Sequence, residues 1–313
     1  MTIDHKFIDQ FVNITSKAAV ASYNLIGKKD KIAADKATVD SMRNNLNQLN
    51  IKGKIVIGEG ELDEAPMLYI GEEVGTRNGP EIDIAVDPLE GTNFAANNLP
   101  GALSVIAIAE KNNLFNAPET YMEKISAKVN EKGVVDLDYS TKENIFNLCE
   151  YLNKKPESIT ACIMDRPRHK DIIDELNILG VKVKLITDGD VSGALLVTDD
   201  KYGVDIFLGI GGGPEGVLSA AALDTFECSF QGRFLFHTEK DKRSAKRMGI
   251  TNLSKKYELN EIAKGDTIFC ATGITSGDLV SGIRTKNNEF ITETLVTHKS
   301  TGLKKIIKKV ENR

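Results

Sequence analysis

The sequence predicts a layered α/β protein with an N-terminal α+β part and a C-terminal α/β part, on three observations. Between residues 159 and 223, strand-like runs alternate with helical stretches at the spacing of parallel βαβ units. The N-terminal half instead opens with two long helical patterns, followed by short β-rich runs. The 313 residues are 41% hydrophobic and 27% charged, enough apolar material for a sizeable core. That balance excludes a disordered tail, a collagen-like repeat and a coiled coil.

Residues 5–26 and 31–49 carry apolar side chains three and four apart and read as helices, with Phe7, Phe11 and Val12 on one face of the first. Residues 54–58 (KIVIG) and 82–86 (IDIAV) are β-rich; Ile82, Ile84 and Val86 share one face while Asp83 and Asp87 point the other way. Residues 103–109 (LSVIAIA) read as a buried strand. The polar stretch 130–143 is expected to connect two parts, 1–143 and 144–313. Beyond it come a strand at 159–164 (ITACIM), a helix ending near Gly180 and a strand at 181–187 (VKVKLIT). Asp188-Gly189-Asp190 then leads into a short helix, and the strand 204–210 (VDIFLGI) runs through a Gly-rich turn into the apolar helix 216–223. Residues 266–273 (DTIFCATG) and 289–298 (EFITETLVTH) return as strands, and the basic end KKIIKKV reads as a solvated amphipathic element without function.

Charge and motif content narrow the function. Forty basic against 45 acidic residues give a formal net charge of −5, which disfavours nucleic acid as a partner because such binding rests on basic phosphate contacts. There is no apolar run of about 18 residues for a membrane span and no signal-peptide run of about 7–15 apolar residues at the N-terminus. Cys149, Cys162, Cys228 and Cys270 include no C-x-x-C pair, so buried thiols in a reducing cytoplasm are expected. His5, His169, His237 and His298 are scattered, without the spacing of a zinc protease.

The acids fall where chemistry is positioned. Glu59 follows KIVIG, Asp87 closes IDIAV, Glu90 comes three residues on in Asp87-Pro88-Leu89-Glu90-Gly91-Thr92, and Glu215 lies in Gly211-Gly212-Gly213-Pro214-Glu215-Gly216. Clustered carboxylates raise one another's pKa, and hard cations such as Mg²⁺ or Mn²⁺ relieve that cost through oxygen ligands. Taken singly, each acid also fits a helix cap or a solvated turn. GGGPEG equally fits a dinucleotide fingerprint between strand and helix, the basis of a rival NAD-dependent dehydrogenase reading; that reading leaves Asp35, Asp87 and Glu90 without a role. A non-catalytic sugar-phosphate sensor on the same fold is a further alternative.

The segment DIAVDPLEGTNF resembles the Asp-Pro-Ile/Leu-Asp-Gly-Thr signature of the metal-dependent, lithium-sensitive sugar and inositol phosphatases, with Glu90 where Asp is usual. Together with VIGEGELDEAPMLYIGEEVG, GIGGGPEGVLSAAAL and FCATGITSGDLVSGI, it is similar to the class II fructose-1,6-bisphosphatases over roughly residues 17–236 and 265–300. The resemblance implies an α-β-α-β-α sugar-phosphatase sandwich, and a hydrolase removing the 1-phosphate of D-fructose 1,6-bisphosphate in gluconeogenesis. Sedoheptulose 1,7-bisphosphate and inositol phosphates remain as alternative substrates.

By position, the resemblance implies one metal group on Asp35 and Glu59 and another on Asp87, Glu90 and Glu215, holding Mn²⁺ or Mg²⁺. Lys31 and Asp63 match polar positions near the reacting phosphate, and Thr92 matches the threonine that positions the attacking water. Glu90, Gly91, Thr92, Tyr121, Arg166, Pro167, Arg168, Asp188, Gly189, Asp190 and Gly212 match substrate-holding positions. Read as residues alone, Thr92 also suits a helix cap, Arg166 and Arg168 a solvated pair, Asp188–Asp190 a tight turn, and Tyr121 the core. Two departures stand out. Arg166 replaces a lysine common in relatives, exchanging a point charge for a planar fork, and the stretch after His237 is shorter than the resemblance implies. A cytoplasmic homodimer or homotetramer is expected.

Overall fold

The computed structural model describes residues 3–60 and 67–313. In chain order the elements are α1 (Phe7–Ala21), α2 (Lys31–Leu46), β1 (Lys52–Ile57), β2 (Glu73–Val74), β3 (Glu81–Glu90), α3 (Thr92–Asn97), β4 (Leu103–Glu110), β5 (Tyr121–Ala127), α4 (Thr141–Leu152), β6 (Thr160–Met164), α5 (Lys170–Ile178), β7 (Lys182–Ile186), α6 (Asp190–Leu195), β8 (Ile206–Gly212), α7 (Gly213–Leu223), β9 (Ser229–Leu235), α8 (Glu239–Arg247), β10 (Lys256–Glu258), α9 (Leu259–Ile262), β11 (Thr267–Gly273), β12 (Arg284–Lys286), β13 (Glu289–His298) and β14 (Leu303–Asn312).

Two compact units result, residues 1–116 with 263–313, and residues 117–262. This division differs from a break at 143, for a physical reason. The C-terminal strands return to the first unit, because β11 pairs antiparallel with β4 from Thr267↔Ala109 to Gly273↔Leu103. The stretch 130–143 lies inside the second unit, where Val135 is buried and Lys256 pairs with Asp136 and Asp138.

Among the described residues the first unit forms an eight-stranded mixed sheet in the order β12-β13-β11-β4-β3-β1-β2, with β14 pairing β13. Helices α1 and α2 cover one face. Phe7, Phe11 and Ile14 of α1 and Met42 and Leu46 of α2 pack on Ile55, Ile84, Val86, Ile106, Ile108, Ile268 and Val296. The lysine-rich end is the strand β14, whose alternating partial burial and lysines leave an edge that discourages pairing with another chain.

The second unit is a six-stranded sheet in the order β10-β9-β5-β8-β6-β7. Strands β6, β7 and β8 run parallel, the expected βαβ pattern, while β5 is antiparallel to β8 and β9. Ile125, Ala161 and Ile206 face α4 and α5 on one side of this sheet. Met122, Lys124 and Phe207 face α6 and α7 on the other, where helix glycines allow the approach: a Cβ on Gly216 would lie 2.5 Å from Met122 Sδ, and one on Gly193 3.0 Å from Phe207. All four cysteines are free and buried. No helix among the described residues is long and apolar enough to cross a membrane.

Candidate active site

In the first unit the end of β3 departs from regular pairing. Asp87 opposes Val105, but Glu90, three residues on, opposes Leu103, only two residues back. The strand therefore carries one extra residue, a β-bulge. Without it, residues i and i+3 would face opposite sides of the sheet; with it, one oxygen of Asp87 and one of Glu90 lie within 4.8 Å of each other. Pro88 has no N–H to lose from the ladder, which suits it to the bulge. Glu90 is buried and Asp87 half-buried. The strand then turns through Gly91 at φ 78°, ψ 51° into α3. An L side chain there would be strained, and its Cβ would lie 2.9 Å from the Phe94 ring.

Thr92 is the first residue of α3; the cap position is Gly91 and no side chain caps the helix. The Thr92 side chain is half-buried and makes no hydrogen bond among the described residues.

Helix α2 packs against β3 and α3. It starts at Asp30, whose side chain accepts from the Ala33 N–H at 2.9 Å. Lys31 and Asp35, four apart, share one face. Burial pushes the Asp35 carboxyl above the usual range. Glu59 follows β1 after Gly58, where a Cβ would lie 1.9 Å from the Leu68 carbonyl oxygen, so no larger residue fits. Asp63 lies outside the described residues. The candidate ligands of this unit, Asp35, Glu59, Asp87 and Glu90, offer only carboxylate oxygens, the donor set that suits a hard divalent cation.

In the second unit the candidates gather at the C-terminal ends of the parallel strands, where open α/β sheets bind ligands. Arg166-Pro167-Arg168 follows β6, Asp188-Gly189-Asp190 follows β7, and Gly212 closes β8 ahead of Glu215 in the first turn of α7. Antiparallel pairing brings Tyr121 opposite Gly212. The Arg168 guanidinium donates to the Ile210 carbonyl at 3.0 and 2.7 Å and lies 4.9 Å from the centroid of the Tyr121 ring. Arg168 is therefore a held cation over an aromatic face rather than a freely solvated side chain. Arg166 donates to the Asp165 carbonyl at 2.9 Å. Tyr121 is 46% exposed, so it is not a core residue.

Gly189 adopts φ 81° and caps α6, leaving Asp190 as the buried first residue of that helix. A Cβ on Gly211 would lie 1.8 Å from Asp190 Oδ2, and one on Gly212 would lie 1.9 Å from Glu215 Oε2. These glycines admit carboxylates to the backbone, which answers the dinucleotide reading of GGGPEG: acids occupy the space a pyrophosphate would need. Burial raises the Glu215 pKa, with the Lys124 charge opposing and the Asp190 charge adding to the shift.

His169 ties this end of the sheet together. Its Nδ1 lies 2.6 Å from the Met164 carbonyl, and its Nε2 accepts the Ile210 N–H at 2.8 Å, so the ring is neutral with the proton on Nδ1. It thereby fixes the Arg166–Arg168 turn against β8. Burial holds its pKa below the ordinary 6.5. The unfolded chain takes up the proton first, so the stability from His169 is complete above pH about 6.5 and is lost as pH falls toward the folded pKa, with a limiting slope of about 1.4 kcal/mol per pH unit. Melting temperatures of the wild type and His169→Gln should therefore converge from pH 7 to pH 5.5; a constant gap would exclude this linkage.

The family of bacterial fructose-1,6-bisphosphatases, glpX-encoded, matches residues 5–311. The chain belongs to this family. As a member of the fructose-1,6-bisphosphatase family it is a phosphoric monoester hydrolase. It is 42% identical to the D-fructose 1,6-bisphosphatase class 2/sedoheptulose 1,7-bisphosphatase of Synechococcus sp. (strain JA-3-3Ab), covering 94% of this chain and 92% of that protein. It is 43% identical to the protein of the same name from Thermosynechococcus vestitus (strain NIES-2133 / IAM M-273 / BP-1), covering 92% and 90%. A solved inositol monophosphatase-fructose 1,6 bisphosphatase is similar over 63% of this chain and 73% of that one, at 15% identity and a TM-score of 0.36.

Two residues of the candidate site region are not among the site residues that the sequence predicts. Lys124 is buried in β5 and His169 sits behind Arg168. Neither has a sequence signal: a lone lysine in a mixed run reads as surface, and a lone histidine has no partner spacing.

Proposed function

We propose that this chain hydrolyses the 1-phosphate of D-fructose 1,6-bisphosphate to fructose 6-phosphate and phosphate, a gluconeogenic reaction. The observation that carries the reading is the family match across residues 5–311. Following the family's pattern, Asp35 and Glu59 serve one metal group and Asp87, Glu90 and Glu215 another, with Mn²⁺ or Mg²⁺ as the ion. Bound there, the ion supplies neutralisation of charge on the phosphoryl oxygens.

The chain's own groups do the rest. Phosphoryl transfer depends mainly on positioning and charge, not on covalent help. The Thr92 hydroxyl accepts a hydrogen bond from the attacking water and orients it. Lys31 and Asp63 act beside the reacting phosphate. Arg166 and Arg168, joined by the stiff Pro167, take the second phosphate as planar forks, with Tyr121 stacked beneath Arg168. Glu90 and Gly91 border the phosphate, and Asp188, Gly189, Asp190 and Gly212 hold the sugar. The resemblance supports a homodimer or homotetramer, and the four free cysteines suit a reducing cytoplasm.

A second substrate, sedoheptulose 1,7-bisphosphate, is favoured by the relatives' names, which pair the two activities. The test is phosphate release from both sugar bisphosphates and from inositol 1-phosphate, with Mn²⁺ or Mg²⁺ supplied. Turnover of fructose 1,6-bisphosphate well above inositol 1-phosphate is expected. No release from fructose 1,6-bisphosphate with either ion would overturn the reading.

A further inference from the structure

Lys124 is among the largest fully buried side chains of the protein, 1% exposed in the central strand β5. Its neighbours across both ladders are glycines, Gly209 on β8 and Gly232 on β9. Its stem passes beneath α7, where a Cβ on Gly216 would lie 3.4 Å from Lys124 Cδ. The ammonium group ends between the starts of two helices. There it donates to Asp190 Oδ2 at the start of α6, and to the Gly212 carbonyl at 2.8 Å, immediately before α7.

A lysine in that place is costly. Burial removes its hydration, and helix N-termini carry partial positive charge that repels a cation. Such a group persists only where it is paired. A purely structural pair would satisfy both partners, but the Asp190 carboxylate is half used: Oδ2 takes the lysine while Oδ1, also buried, has no hydrogen-bond partner among the described residues. An unpartnered buried carboxylate oxygen is expensive to leave idle, and it lies at the strand ends where ligands of α/β sheets bind.

We propose that Lys124 is a positioning residue of the sugar subsite: its ammonium fixes the Asp190 carboxylate and the Gly212 carbonyl, so that Asp190 Oδ1 is presented as a rigid acceptor to a hydroxyl of the sugar bisphosphate. This rests on the assignment of Asp190 to the sugar. Lys124 touches no substrate atom itself; it acts by holding Asp190 in one orientation, and the Lys124→Met change keeps an unbranched apolar stem of nearly the same length while releasing the carboxylate.

The experiment is a double-mutant cycle on the metal-loaded enzyme, with KM and kcat for fructose 1,6-bisphosphate measured for Lys124→Met, Asp190→Asn and the double variant, alongside melting temperatures. Each single variant should raise KM about tenfold with kcat within about threefold, and the double variant should also raise it about tenfold rather than a hundredfold, since both changes remove one interaction. Lys124→Met should melt lower because it strands a buried carboxylate, while the double variant should recover much of that loss and so stays measurable even if the single variant folds poorly. An unchanged KM for Asp190→Asn would sink the sugar assignment of Asp190 itself. A raised KM for Asp190→Asn with an unchanged KM for Lys124→Met, or multiplicative effects in the double variant, would overturn the role of Lys124 alone.

Discussion

Replacing Asp87 by Ala is expected to lower kcat by at least about 10³-fold, a loss on the scale of removing preorganised charge stabilisation from a transition state. The bulge of β3 is the reason for so large an effect. It brings an Asp87 and a Glu90 oxygen within 4.8 Å of each other, a spacing at which two ionised carboxylates oppose one another unless a cation lies between them. Removing Asp87 takes away one of the carboxylates from which the proposed metal group is built. The loss should therefore appear in ion binding as well as in rate: calorimetric titration of Mn²⁺ into the apo-protein should show weaker binding for Asp87→Ala, and EDTA should abolish wild-type turnover until Mn²⁺ or Mg²⁺ is restored. The fold should tolerate the change, since Asp87 is half-buried at the end of its strand and contributes no core packing. A variant that keeps wild-type Mn²⁺ affinity and more than a tenth of the rate would remove Asp87 from the metal group.

The strands that carry the site differ in how far their sequences reveal them. IDIAV shows its two faces plainly because Ile82, Ile84 and Val86 enter one core and Asp83 and Asp87 stay off it. The bulge after Asp87 is not visible as a pattern, and only Pro88 and Gly91 hint that the strand turns there. YMEKISA and SFQGRFL are strands β5 and β9 in the middle of the second sheet, yet they break apolar alternation at Lys124 and at Gln231, both buried because each has a specific partner. A buried polar residue is readable as buried only once its partner is known, and the partners of these two lie 66 and 94 residues away. The helix α4 carries a local signal, the reciprocal Ser140–Glu143 capping box, which the charged composition of 130–143 hides. The parallel strands β6, β7 and β8 were legible throughout, because strand-helix alternation is a local pattern. The acids and arginines at their ends are legible as positions; the hydrogen bonds of Arg168 to Ile210 and the glycine-lined approach of Asp190 and Glu215 come from tertiary packing.

Thr92→Ala is expected to lose about 10²–10⁴-fold in kcat, the contribution of a positioned acid–base group, with KM nearly unchanged because the hydroxyl acts chiefly in the transition state. Thr92→Ser, which keeps the hydroxyl, should retain a clear fraction of the rate. The competing account, that Thr92 merely caps α3, would put about 0.5–2 kcal/mol of stability at this residue. The local structure speaks against it. Gly91 occupies the cap in the left-handed region, Thr92 is the first helical residue, and no side chain caps the helix. From that position the hydroxyl cannot reach back to serve the free N–H groups as a cap does, and it is left half-exposed, one turn beyond the Asp87–Glu90 bulge. The alanine variant should therefore melt within about a degree of the wild type, consistent with the small effect of removing a half-exposed hydroxyl that bonds no described residue. Measured on the same three proteins, kcat and melting temperature separate the accounts: a stable and inactive Thr92→Ala supports the orientation of water by Thr92, whereas an active variant of lowered melting temperature would return Thr92 to a structural role.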